Sequence, residues 1–149
     1  MTVPDPYDLE RFVTAQDGGV YQRAVAELRA GLKTGHWMWF IFPQIAGLGT
    51  SPMSRRFAIS SVREARAYLA HPVLGRRLTE CALILDSQSG RTAEQIFGPV
   101  DALKLRSSMT LFRSADPAEP LFDRVLGKYF EGQADPLTDS AVAAAGEGT

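Results

Sequence analysis

Two stretches of this chain carry side chains whose types and spacing could do chemistry. The first is Lys33-Thr34-Gly35-His36-Trp37-Met38-Trp39-Phe40-Ile41-Phe42-Pro43-Gln44. Both tryptophans lie in it, with two of the eight phenylalanines and one of the two histidines. Its apolar run, Trp37 to Pro43, is closed by polar groups at each end, and Gly47 and Gly49 follow. One reading is a wholly buried strand or short helix. The other is the wall of an aromatic pocket, with Lys33, His36 and Gln44 at its mouth and Trp37 or Trp39 stacking on a flat ligand. Backbone amides of the loop at Gly47 and Gly49 can face an anion, as they can in many ordinary connectors.

The second stretch follows Pro99. At about 100° per residue, Val100, Leu103 and Leu111 define one side of a helix, and Leu105 and Phe112 another. Asp101, Lys104, Ser107 and Ser108 fall in the arc between, and Ala102, Arg106, Thr110 and Arg113 in the opposite arc, which suits solvent. An acid, a lysine and two serines thus sit on the face that should be buried, where each unpaired ion costs several kcal/mol. Either Asp101 and Lys104 form a buried structural pair, or this face lines a polar cleft. Lysine attracts phosphate or carboxylate, and serine and aspartate bind hydroxyls. The two stretches together describe a pocket for a nucleotide-like or nucleoside-like ligand. Within it Asp101 would be the stabiliser or base, Lys104 would hold phosphate or tune Asp101, and His36 would be a candidate acid in cleavage of an N-glycosidic bond, which wants a carboxylate near the sugar. A non-catalytic module would use the same pocket only to hold a small molecule or a peptide.

The elements that must position these groups are mostly helical. Capping residues and apolar spacing predict helices near residues 8–16, 20–31, 62–70, 73–87, 99–114 and 121–131. Asp8 and Ser61 read as N-caps, Gly31 as a C-cap, and Pro72 and Pro99 as first helical residues. Thr92 caps a short turn ending at Phe97-Gly98. Residues 36–43 lean slightly towards extended chain, because Pro43 bars a continuous helix. The expected fold class is mainly α, a single compact domain of six or seven helices over residues 5–135, with at most minor extended segments. Residues 136–149 are expected to form a flexible tail, with little left to bury after Gln133.

The chain has 149 residues, enough for one domain with a proper core. A net charge of −1 gives no basic excess for an extended nucleic-acid surface. No apolar run reaches bilayer length, and the start at Met1-Thr2-Val3-Pro4-Asp5 lacks the apolar segment of a secretory signal. Cys81, the only cysteine, falls on an apolar stripe and reads as core; one thiol suits a reducing cytoplasm and excludes a disulfide framework. One cysteine and two histidines, His36 and His71, also exclude a cysteine/histidine-rich zinc site, and no metal or cofactor is implied. No Gly-x-Ser-x-Gly elbow supports a serine hydrolase.

The chain resembles the DUF1810 family in Asp8 to Gln16, in Lys33 to Gln44 with Gly47-Leu48-Gly49, in His71 to Leu78, and in Ile96 to Asp101 running into Lys104 to Phe112. The resemblance spans about Asp8 to Asp135. It implies a small, mostly helical, cytoplasmic protein and leaves the activity open. A lesser likeness, to the NADAR family associated with ADP-ribose, rests on His36 to Gln44 and Lys104 to Phe112. That family has a glutamate just before its histidine, where this chain has Gly35, so Asp101 or another acid would have to supply the carboxylate.

Overall fold

The structure, a computed structural model, describes residues 4–147. The reading of the start at Met1 to Val3, and the last two positions of the expected tail, 148–149, lie outside them. Ten helices are present among the described residues: α1 (Glu10–Ala15), α2 (Val20–Ala30), α3 (Met38–Ile41), α4 (Pro52–Arg56), α5 (Val62–Ala70), α6 (Leu74–Ser87), α7 (Ala93–Phe97), α8 (Pro99–Ala115), α9 (Leu121–Phe130) and α10 (Pro136–Glu147). The mainly helical class holds. The three helices beyond the six or seven expected are α3, α4 and α10.

α8 is the axis of the structure. It packs against α5, α7, α9 and α10, while α6 joins α9, α5 and α2. Being covered on so many sides, α8 departs from the expected burial pattern. Ala102 and Thr110, assigned to the solvent arc, are buried, whereas Val100 and Leu103 are exposed. An aromatic chain runs through the core: Phe12 meets Tyr68 edge-on at 5.2 Å, Tyr68 meets Phe112 at 5.4 Å, and Phe112 meets Phe122 at 6.0 Å.

Local chemistry sets most of the boundaries. Gly31 ends α2 at φ 74°, a conformation that other residues adopt with strain. Thr92 and Gln95 form a reciprocal capping box on α7. The slight lean of residues 36–43 towards extended chain is corrected: Met38–Ile41 is a single helical turn, closed by Phe42 N–H donating to Met38 O at 3.1 Å. Pro43 then ends it, and the extended chain comes later, where Ile45 bridges Ile59 in parallel.

Two caps differ from expectation. Asp8 turns left-handed at φ 51°, and it is the Asp5 carboxylate that accepts from Leu9 N and Glu10 N, at 2.7 and 3.0 Å. His71 Nδ1 accepts from Val73 N and Leu74 N, so α6 opens at Leu74 and Pro72 lies in the turn before it.

The tail also differs. Residues 136–147 form α10, and Thr138 within it is fully buried. Asp135 accepts from Thr138 N at 3.0 Å and Pro136 is the first helical residue, which is ordinary N-terminal capping chemistry.

Arg11 knits the loops beside α1. Its guanidinium donates to Tyr7 O, to Arg56 O and Ala58 O (both 2.8 Å) and to Glu64 Oε2 (3.0 Å). Glu64, buried in α5, also accepts from Ser60 N at 2.9 Å. Removing its carboxylate strands the Arg11 charge, whose side chain is 15% exposed. Glu64→Ala is therefore expected to destabilise the protein by about 3–5 kcal/mol, read as a lower urea midpoint at an unchanged slope.

Candidate functional site

The two chemical stretches meet around one carboxylate. Asp101, in the first turn of α8, receives Lys33 Nζ on Oδ2 at 2.7 Å and Lys104 Nζ on Oδ1 at 3.0 Å. Each ammonium also lies over an indole. Lys33 Nζ is 5.1 Å from the Trp37 ring centroid, and Lys104 Nζ is 4.1 Å from that of Trp39. Burial alone would raise the Asp101 carboxyl. Hydrogen bonds and charge from Lys33 and Lys104 outweigh it and hold the group below its ordinary 3.8, so it stays ionised.

Glu27 on α2 fixes the turn that carries Lys33 and Trp37. Its Oε1 accepts from Thr34 N, Gly35 N and Trp37 Nε1, at 2.7, 2.8 and 3.0 Å. A Cβ at Gly35 would stand 2.9 Å from the Trp37 ring and 3.3 Å from Glu27 Oε2, so this close approach requires glycine. A glutamate at this place, as in the NADAR motif, would not fit the turn as built.

Beside this cluster lies a cleft of about 420 Å³. Its apolar wall comes from Trp39, Leu48, Phe57, Val100, Leu103 and Leu137. Its polar groups are Gln44, Ser54, Lys104, Ser107 and Asp135, with Gly47 and Gly49 on the loop side. A Cβ on Gly49 would lie 3.0 Å from Ser54, so glycine keeps that loop close to α4. The Gln44 backbone is held by Ile59 N–H donating to its carbonyl at 2.8 Å, while its buried side-chain Nε2 has no hydrogen-bond partner.

Of the residues the sequence singled out, Trp39, Gln44, Gly47, Gly49, Lys104 and Ser107 line the cleft. Asp101 and Lys33 stand behind its wall and touch it through Lys104. Trp37 is 2% exposed and packs on Phe42 and Phe97 in the core. Ser108 is wholly buried, with Oγ unpartnered. His36 is exposed and outside the lining. Cys81 lies in the core, where burial pushes its thiol up to about 12, so it stays protonated and unreactive. Among the described residues, no three His, Cys, Asp or Glu side chains gather into a metal-binding group.

The candidate set lacked Asp135 and Leu137, and also the apolar and loop residues of the wall, among them Leu48, Ser54, Phe57, Val100 and Leu103. For Asp135 and Leu137 a signal was present. The signal was Asp135-Pro136 followed by Thr138, a helix-start pattern inside an otherwise featureless tail.

Residues 6–142 match the family described as protein of unknown function (DUF1810). The chain belongs to that family. Among solved structures, this DUF1810 chain is similar to the conserved hypothetical protein Rv1873 from Mycobacterium tuberculosis, at 54% identity and a TM-score of 0.91. The match covers 93% of this chain and 99% of that one. No protein of curated description matches it significantly.

In this DUF1810 protein, Asp101→Asn leaves Lys33, 8% exposed, and Lys104 without a counter-charge. A loss of about 3 kcal/mol is expected at neutral pH. The folded carboxyl titrates below its unfolded value, so its stabilisation is present above about pH 4 and is lost as pH falls through the folded value. The gap between wild type and variant should narrow from pH 7 to pH 3 in urea unfolding.

Proposed function

We propose that the cleft binds a small nucleotide-like anion, of which an ADP-ribose-like molecule is a larger member. The observation that carries this is Lys104: a side chain in the cleft wall whose ammonium is ordered by Asp101 and Trp39 without being fully consumed by either. Asp101 has a second cation in Lys33, so the cluster of two lysines and one carboxylate keeps one positive charge in excess. That excess suits a phosphate or carboxylate. The apolar wall suits the flat body of a base, and Asp135 and Ser107 suit sugar hydroxyls.

Simple binding is supported better than glycosidic cleavage. Both Asp101 oxygens are ion-paired behind the wall, and His36 lies outside it. The acid that lines the cleft is Asp135, and a cleaving enzyme would draw on that carboxylate. A cytoplasmic setting, with its supply of free nucleotides, fits this reading and the single buried thiol.

The experiment is calorimetric titration with AMP and with ADP-ribose, on wild type and Lys104→Met. Wild type should bind at least one of them, and the variant should bind at least about tenfold more weakly. Its stability should change by about 1 kcal/mol or less, because Lys33 still pairs with Asp101. Lack of binding by wild type, or equal binding by both proteins, would overturn the proposal.

A further inference from the structure

We propose that α10 is a gate over the cleft, latched to α8 through Asp135; the functional part of this rests on reading the cleft as a binding site. α10 brings two groups to the wall, Asp135 and Leu137, and Leu137 is 68% exposed there. The helix itself is held by little apolar burial. Among its described side chains Thr138 alone is buried, while Ala141 and Val142 are only partly covered. Its polar attachment is concentrated at its N-terminal end, while Ala141 and Val142 rest against the core and the helix also meets α5.

The latch has two halves. The half within α10 is Asp135 Oδ2 accepting from Thr138 N and from Thr138 Oγ1, at 3.0 and 2.5 Å. The half that reaches α8 is Ser107 Oγ, 3.1 Å from Asp135 Oδ2, and Asp135 N–H donating to Thr110 Oγ1 at 2.9 Å. Ser107 Oγ is also 3.1 Å from Leu103 O, so its one proton has a second acceptor when the latch is open. Just before the latch, Arg106 donates to Gln133 O and Ala134 O at 2.9 and 2.7 Å. The Ala134 carbonyl and the Asp135 N–H belong to one planar peptide, so the clamp and the Thr110 bond hold it together, and the helix pivots about Asp135 itself. Segments with few buried apolar contacts open at a free energy well below that of the whole protein. Opening here carries one carboxylate and one leucine out of the wall and widens access to Lys104 and Trp39.

Hydrogen exchange of the full-length protein, read by mass spectrometry, tests the gate. In the free protein, amides of 136–147 should exchange at least about a hundredfold faster than those of α9, whose apolar face lies in the core. The double variant Ser107→Ala, Thr110→Val removes the α8 half of the latch and leaves the Asp135–Thr138 cap intact. It should speed exchange of 136–147 by about tenfold or more and leave α6 and α9 unchanged. Exchange of 136–147 only in step with α9, or an equal rise in every helix of the variant, would overturn the gate. Saturating AMP should slow exchange of 136–147. Heat of AMP binding with protection of residues 37–49 but none at 136–147 would overturn the gate and leave the cleft reading standing. Failure of both AMP and ADP-ribose to bind would overturn the cleft reading, and the latch then stands or falls on the free-protein rates.

Discussion

The structure around the cleft depends on one carboxylate shared by two ammonium groups. Lys33, Asp101 and Lys104 are all at least four-fifths shielded from water at their side chains. Taking three charges out of water is costly unless each is paired and its remaining hydrogen-bonding capacity is met. Here the Asp101 oxygens meet one lysine apiece, Lys33 gives a further hydrogen bond to Gly35 O, and both cations rest on indole faces. The geometry joins three separate parts of the chain: the turn after α2, the aromatic turn α3, and the first turn of α8. Without it, Trp39 would lose the Lys104 ammonium that lies over its ring from α8. A lone Asp101–Lys104 pair, one turn apart on a single helix, could not join the three parts.

Two carboxylates outside the cleft prepare the parts that this cluster joins. Glu27 gathers three N–H donors from 34–37 and so presents Lys33 and Trp37 in a fixed relation. Glu64, with Arg11, fixes the chain at 56–60, which delivers Phe57 to the opposite wall. In both cases a buried or half-buried acid takes over unpaired backbone amides of a loop. Such loops have too few apolar side chains to fix themselves. This is why about half of the cleft lining comes from irregular segments held on a helical frame.

The helices with clear apolar stripes were legible in the sequence: α2, α5, α6, α7, α8 and α9 all lie within about a residue of where spacing put them, although α6 opens after Pro72 and not on it. What failed has physical causes. The run Trp37 to Phe42 is apolar on all sides because it is inside the core, so it carries no period to separate strand from helix. α10 reads as a tail in the sequence because it buries almost nothing apolar, and its strongest local signal is the Asp135 cap. At the site, residue type proved a better guide than residue role. Lys104, Ser107 and Gln44 do line the cleft, and the aromatic stretch does meet Asp101. Trp37, Lys33 and Asp101, in contrast, serve the scaffold behind it. A helical wheel places residues around one axis and says nothing of which neighbour covers which arc. Val100 and Leu103 therefore lie exposed, while Ala102 and Thr110 are buried by the surrounding helices.

That exposure gives the cleft its chemical character. Six large apolar side chains are exposed among the described residues, and three of them, Val100, Leu103 and Leu137, border this one cavity. Isolated exposed leucines are normal on a protein surface, but a group converging on a concave site is what the proposed binding of a partly apolar ligand would use. The polar lining argues in the same direction by its balance. One cation, Lys104, and one anion, Asp135, face the cavity, a balance that would suit the proposed nucleotide-like ligand, anionic at one end and neutral along the rest. Lys104 also covers one face of Trp39. A flat ring entering the cleft would use the edge of that indole, its other face or the aliphatic wall, while its anionic end competes with Asp101 for the lysine. Because Lys33 would remain on Asp101 if Lys104 turned away, that exchange would leave no buried carboxylate unpaired. In the proposed binding, the shared carboxylate that holds the scaffold together would thus also leave Lys104 free to change partners.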